Sequence, residues 1–208
     1  MLILTKLFLI RHGQSEWNKL NMIQGQQDIS LTDLGKKQAR SLGNRLINQD
    51  IDIIYTSDLS RAYTTAKIIS DVIKKPLISS KDIREINFGP WEGLSIQEIR
   101  EKYGDEYSTW LKEPQKLNIH GAETLSTLRD RAIKYVESIA NENEGKNIAI
   151  VSHGALLKTL ILGLLDIDLS HYKNISLNNV SLSIIEFKDY NRVLTTLNDI
   201  SHLKELSR

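Results

Sequence analysis

The sequence predicts an α/β fold, built from apolar strands that each lead through a polar loop into a helix. Compact apolar runs at Leu7–Ile10, Ile51–Thr56 and Asn147–Ser152 suit strands buried on both faces, and are too short for helices. Each stops at a polar turn, after which apolar residues recur at helical spacing. In such folds ligands bind at the carboxyl ends of the strands, so the residues just after each run are the ones to examine.

With 208 residues the chain suits a single domain, 1–208. It is 40% hydrophobic and 25% charged with a net charge of +1, which argues against disorder, a membrane span or a polyanion-binding surface. Small-molecule partners are therefore expected, with no nucleic acid and no membrane; a homodimer is compatible with the composition. The absence of cysteine excludes disulfides, thiolate catalysis and cysteine-ligated metal, and the cytoplasm is the default location. The apolar start, MLILTKLFLI, lacks the basic segment and cleavage site of a secretory signal and is read as the first strand.

That strand runs into Arg11, His12 and Gly13, with Asn18 beyond, which suggests an anion site containing a nucleophile. A polar stretch follows, in which Gln24 and Gly25 either face a ligand or form a solvated turn. A helix from near Thr32 to near Asp50 packs through Leu34, Ala39, Leu42, Leu46 and Ile47. After the second strand, Ser57 or Asp58 is expected to cap a helix whose apolar face runs through Ala62, Ala66, Ile69 and Ile73. Arg61 falls in its first turn, where a cation opposes the helix dipole unless an anion sits between them. Leu77–Ser80 reads as a short third strand. Glu85 follows among Ile86, Phe88 and Trp91, a setting that favours a neutral carboxyl and hence a proton donor; the alternative is a surface pair with Arg84.

Residues 95–117 are helical but polar, a cap-like excursion. A long helix then carries Leu125, Leu128, Ala132, Ile133, Val136 and Ile139, with His120 and Glu123 at its entry read as a turn residue and a complement to the dipole, the alternative being contact with a substrate. The next strand ends in Ser152, His153 and Gly154, repeating the opening pattern, and an apolar helix begins at once. Residues 181–187 and 193–198 read as an antiparallel pair joined by KDYN, before a polar tail.

Arg11, His12, Arg61, Glu85 and His153 thus lie where parallel strands would gather them. The set suits phosphoryl transfer: two guanidinium forks hold a phosphoryl group, a neutral imidazole attacks phosphorus, a second histidine steadies its oxygens and a carboxyl protonates the departing alkoxide. No metal or other cofactor is required, and the five histidines lack zinc-site spacing.

LIRHGQSEWN, SDLSRAYTTA, REINFGPWEG and VSHG together resemble the histidine phosphatase superfamily, also called the phosphoglycerate mutase-like family. The resemblance implies a three-layer α/β/α sandwich around a mostly parallel sheet. It matches His12 to the phosphorylated histidine; Arg11, Arg61 and His153 to the phosphate pocket; Asn18 to a further phosphate-contacting amide; and Glu85 to the acid and later base of the phosphatase branch. Gln24 and Gly25 match a segment on the substrate side, and Gly154 is counted with the phosphate-binding positions. The implied activity is hydrolysis of a small phosphomonoester; the rivals are mutase-type transfer and a non-catalytic phosphate-binding module. HGAET departs from a PGGES-like stretch in relatives, and the chain lacks the inserted segment and tail of the longer mutases. The substrate stays open among phosphosugars, phosphoglycerate-like acids, phosphoserine and ribazole phosphate, with the excursion at 95–117 expected to decide.

Overall fold

A computed structural model describes residues 6–188 and 190–204. The beginning of the expected first strand, residue 189 of the KDYN turn and the end of the polar tail lie outside these. In chain order the elements are β1 (Lys6–Arg11), α1 (Glu16–Lys19), α2 (Asp33–Leu46), β2 (Ile53–Ser57), α3 (Ser60–Ile73), β3 (Leu77–Ser80), α4 (Ile96–Lys102), α5 (Gly104–Lys112), α6 (Leu125–Glu142), β4 (Ile148–Ser152), α7 (Gly154–Leu164), β5 (Leu182–Phe187) and β6 (Arg192–Asp199). The strands form a sheet in the order β3-β2-β4-β1-β5-β6. β3, β2, β4 and β1 are parallel, and β5 and β6 complete the edge antiparallel.

Alternation along the strands explains the layers. Leu7 and Leu9 of β1, Ile53 and Tyr55 of β2, and Ile148 and Ile150 of β4 enter one core, with α6 and α7. Phe8, Ile10, Ile54, Ala149 and Val151 point the other way, into a second core with α2 and α3. Because successive strand side chains face opposite sides, a sheet apolar at every position needs helices on both faces. A three-layer sandwich results. Removing one such side chain, as in Ile150→Ala, costs about 2–5 kcal/mol.

Several local expectations need correction. In α2 the buried positions are Gly35, Ala39, Leu42, Gly43 and Leu46, while Leu34 and Ile47 are exposed. The stripe is offset because two glycines let neighbouring backbone and side chains approach. Leu111 on α5 is likewise exposed, leaving Trp110 to carry the contact with Phe88, Trp91 and Tyr172. Neither Ser57 nor Asp58 caps α3, whose N-cap is Leu59; Asp58 instead takes both Arg84 Nε and Nη2 at 2.6 Å, and Ser60 N donates to Asp28 Oδ1. A bidentate charged fork outcompetes a helix cap for that carboxylate. Arg84 therefore does not pair with Glu85. Part of the expected tail is ordered: Ser201–Leu203 form a 3-10 turn against α2, where Ser41 Oγ donates to His202 O at 2.6 Å and Arg45 pairs with Asp199.

Candidate active site

The register of β1 on β4 assembles the site. Arg11 lies opposite Ser152, so the chain leaves both strands at one level, and His12 N donates to Ser152 O at 2.9 Å. The two strand, histidine, glycine patterns are thereby superimposed, and the His12 and His153 rings stand edge to face with centroids 5.2 Å apart. Both rings are buried. Burial, then the charges of Arg61 and Arg11, hold His12 well below the ordinary imidazole range; burial, Arg61 and His12 do the same to His153. Both are neutral at pH 7.

His12 is also fixed in tautomer. Its Nδ1 lies 2.7 Å from Gly13 O, a carbonyl that can only accept, so Nδ1 carries the hydrogen and Nε2 the lone pair. Gly13 N donates to Thr65 Oγ1 at 3.0 Å, and a side chain at Gly13 would meet Gly35 O at 2.6 Å. The loop that aims the imidazole is thus pressed onto the first turn of α2.

The two arginines are held by carbonyls and left with spare donors. Arg11 Nη1 donates to Leu177 O at 2.6 Å; Arg61 Nη1 and Nη2 donate to Gln27 O and Gly25 O at 2.6 and 2.7 Å. Arg11 Nε, Arg61 Nε and both ring nitrogens of His153 are buried without a hydrogen-bond partner. Unpaired buried polar atoms, here the two guanidinium Nε donors and the one N–H and one lone pair of neutral His153, are rare and costly, at about 1–3 kcal/mol each. Their clustering beside His12 marks a place built for an acceptor-rich anion. Burial lowers Arg11, and lowers Arg61 to about 10, and both stay cationic.

Glu85 is not carried by the expected apolar cluster. Its carboxylate accepts from Ala155 N and Leu156 N at the start of α7 and from Ile86 N, at 3.0–3.1 Å. A negative group there complements the helix dipole. Gly154, the first residue of α7, lies against Arg11: a Cβ there would be 3.5 Å from Arg11 Nε. Glu85 therefore flanks the cationic cluster.

Asn18 closes a capping box with Ser15, and its Oδ1 accepts from Ser15 N and Asn179 Nδ2. That commits the carbonyl oxygen and leaves the amide nitrogen for a ligand. Gln24 Oε1 accepts from Ser15 Oγ at 2.7 Å. Gly25 is buried with φ +50°, and a Cβ there would lie 1.9 Å from Glu92 Oε1. His120 is exposed in a turn, and Glu123 pairs with Arg131 instead of serving only the dipole.

Three contributors escaped the sequence reading. Glu92 accepts from Gln26 N, Phe88 N and Gln27 Nε2, pinning the loop whose carbonyls grip Arg61. Asn179 Nδ2 donates to His12 O at 3.0 Å. Arg131 donates to the carbonyls of Asp82 and Arg84, and steadies the segment that ends in Glu85. Only the WEG that follows Pro90 hinted at any of them.

Residues 7–200 match the model of the histidine phosphatase superfamily, branch 1. Phosphoserine phosphatase 1 of Hydrogenobacter thermophilus is 34% identical over 202 residues, covering 97% of this chain and 96% of that protein. The metal-independent phosphoserine phosphatase of Arabidopsis thaliana is 31% identical, covering 97% and 84%. Among solved structures, Bacillus stearothermophilus YhfR is 33% identical with a TM-score of 0.91, over 96% of this chain and 100% of that one. A mutant phosphoserine phosphatase from Entamoeba histolytica, in complex with phosphoserine, is 35% identical with a TM-score of 0.86 over the same shares. With the paired histidines, two buried arginines and matching extent, the chain belongs to branch 1 of the histidine phosphatase superfamily.

Proposed function

We propose that the protein is a metal-independent phosphatase of a small phosphomonoester and passes the phosphoryl group through His12. One observation carries the reading: a neutral imidazole with Nδ1 committed to Gly13 O stands beside the unpaired buried donors of Arg11, Arg61 and His153. His12 Nε2 forms the bond to phosphorus while the ester P–O bond breaks. The Nε donors of Arg11 and Arg61, with His153 and the Asn18 amide, take the charge on the equatorial oxygens. Glu85, a carboxylate held by three amides, takes the proton of the substrate's phosphate monoanion and passes it to the departing oxygen, then accepts one from the water that cleaves the P–N bond and returns it to the product phosphate. The helical excursion at 95–117 caps the alcohol side. The domain is 1–208, and the cytoplasm suits a cysteine-free enzyme of phosphorylated metabolites.

Acid quenching during turnover of a 32P-labelled substrate tests the scheme. Label is expected on His12 and absent from His12→Ala, with inorganic phosphate as product. Turnover that survives in His12→Ala rejects the nucleophile, and isomer exchange without free phosphate favours mutase chemistry.

A further inference from the structure

Beyond the phosphate clamp, α7 carries a second cation toward the site. Lys158 lies one turn after Gly154 and Ala155, so it shares the helix face that holds Glu85 and abuts Arg11. It is half-buried, and its Nζ sits 3.8 Å from the centroid of the Tyr172 ring. Lys173 is an exposed residue whose ammonium is nevertheless partly desolvated, which lowers it to about 8, with Nζ 4.0 Å from the Trp110 centroid and 5.8 Å from that of Tyr172. Neither ammonium forms an ion pair with any described carboxylate. Tyr172 is buried and close enough to Glu85 and Arg11 to feel both charges. Trp110 belongs to α5, so the pair lies between α7 and the excursion, within reach of the field of Glu85.

Burial, with Lys173 as the next contributor, lowers Lys158 to about 8, so it is still mostly charged at pH 7. Glu85 offsets Lys158 only in part and from beyond ion-pair distance, so two neighbouring ammonium groups held against aromatic faces still repel each other and are relieved by an added anion. Two point charges suit a compact anion, which on a small alcohol is a carboxylate.

We propose that Lys158, supported by Lys173, binds a carboxylate on the leaving alcohol and so selects phosphomonoesters of hydroxy acids over those of neutral alcohols. This rests on the phosphatase reading above. The matched probes are 3-phosphoglycerate and glycerol 3-phosphate, which differ by a carboxylate against a hydroxymethyl group. Wild-type kcat/KM should favour the acid by at least about tenfold, as for a desolvated charged contact. Lys158→Met should bring the ratio close to one, Lys173→Met should lower it less, and Lys158→Arg should preserve it. A merely structural role would scale both substrates together and leave the ratio intact. A wild-type ratio near one, or an undiminished ratio in Lys158→Met, overturns the subsite even where p-nitrophenyl phosphate still labels His12. Absence of turnover and label with every ester overturns the phosphatase reading as well.

Discussion

Acidification should destabilise the protein through its two paired, buried histidines, His12 and His153. Both are buried and held below the ordinary range, first by desolvation and then by Arg61. In the unfolded chain each titrates near pH 6.5, so the unfolded state binds more protons than the native state below that pH. Stability is therefore full above pH 6.5 and is lost as pH falls toward the depressed native pKa values. For a histidine that stays neutral when folded, the step from pH 7.5 to 5.5 removes about 1.4 kcal/mol, or about 2.7 kcal/mol for the pair. Against a typical total of about 5–15 kcal/mol, that is a large share. Urea unfolding in phosphate-free buffer at the two pH values measures it; phosphate is left out because an anion bound to the native state adds stability of its own. His202, lowered to about 4, adds to the loss in the same window because its unfolded form titrates near pH 6.5, so the decisive quantity is the difference between wild type and His153→Leu. The variant should lose about 1.4 kcal/mol less than wild type over the step. Equal losses would refute the claim that His153 is neutral in the folded protein.

Gly25→Ala should lower kcat/KM at least about tenfold, because an alanine at φ +50° would force Glu92 off Gln26 N and Phe88 N and loosen the carbonyls that grip Arg61. Steady-state kinetics on p-nitrophenyl phosphate checks it, and wild-type values would show that the loop does not set the guanidinium. Glu85→Gln should slow alkyl phosphates by about 100-fold while affecting p-nitrophenyl phosphate far less, since a good leaving group needs no proton. A panel of esters spanning leaving-group pKa decides this, and a uniform loss would remove the acid role.

The parallel core and its polar strand ends were legible because burial on both faces leaves a continuous apolar run, and whatever polar residue follows it is thrown to the sheet edge. Arg11, His12 and His153 are of this kind. Arg61 was readable from an electrostatic misfit, a cation in the first turn of a helix; the structure resolves it through Gly25 O and Gln27 O, 36 and 34 residues away. Glu92, Asn179 and Arg131 act through backbone groups distant in sequence, and no periodicity encodes which carbonyl a loop will present. The capping roles proposed for Ser57 and Asp58 failed for a related reason: a helix start suggests a local partner, yet Arg84 offered the aspartate a better one from 26 residues away.

The arrangement also shows why the site needs both a loop and a helix terminus. Two cations and two imidazoles close together would repel any further positive charge, and burial keeps both rings neutral. Carbonyl oxygens of Leu177, Gly25 and Gln27 partly offset the guanidinium charges without adding a carboxylate that would compete with a phosphate. The negative charge is placed to one side instead, on Glu85, where the amides of α7 hold it. The site thus holds its unpaired donors apart from its carboxylate, and because Glu92 fixes the loop while α7 fixes Glu85, each can be disturbed without the other.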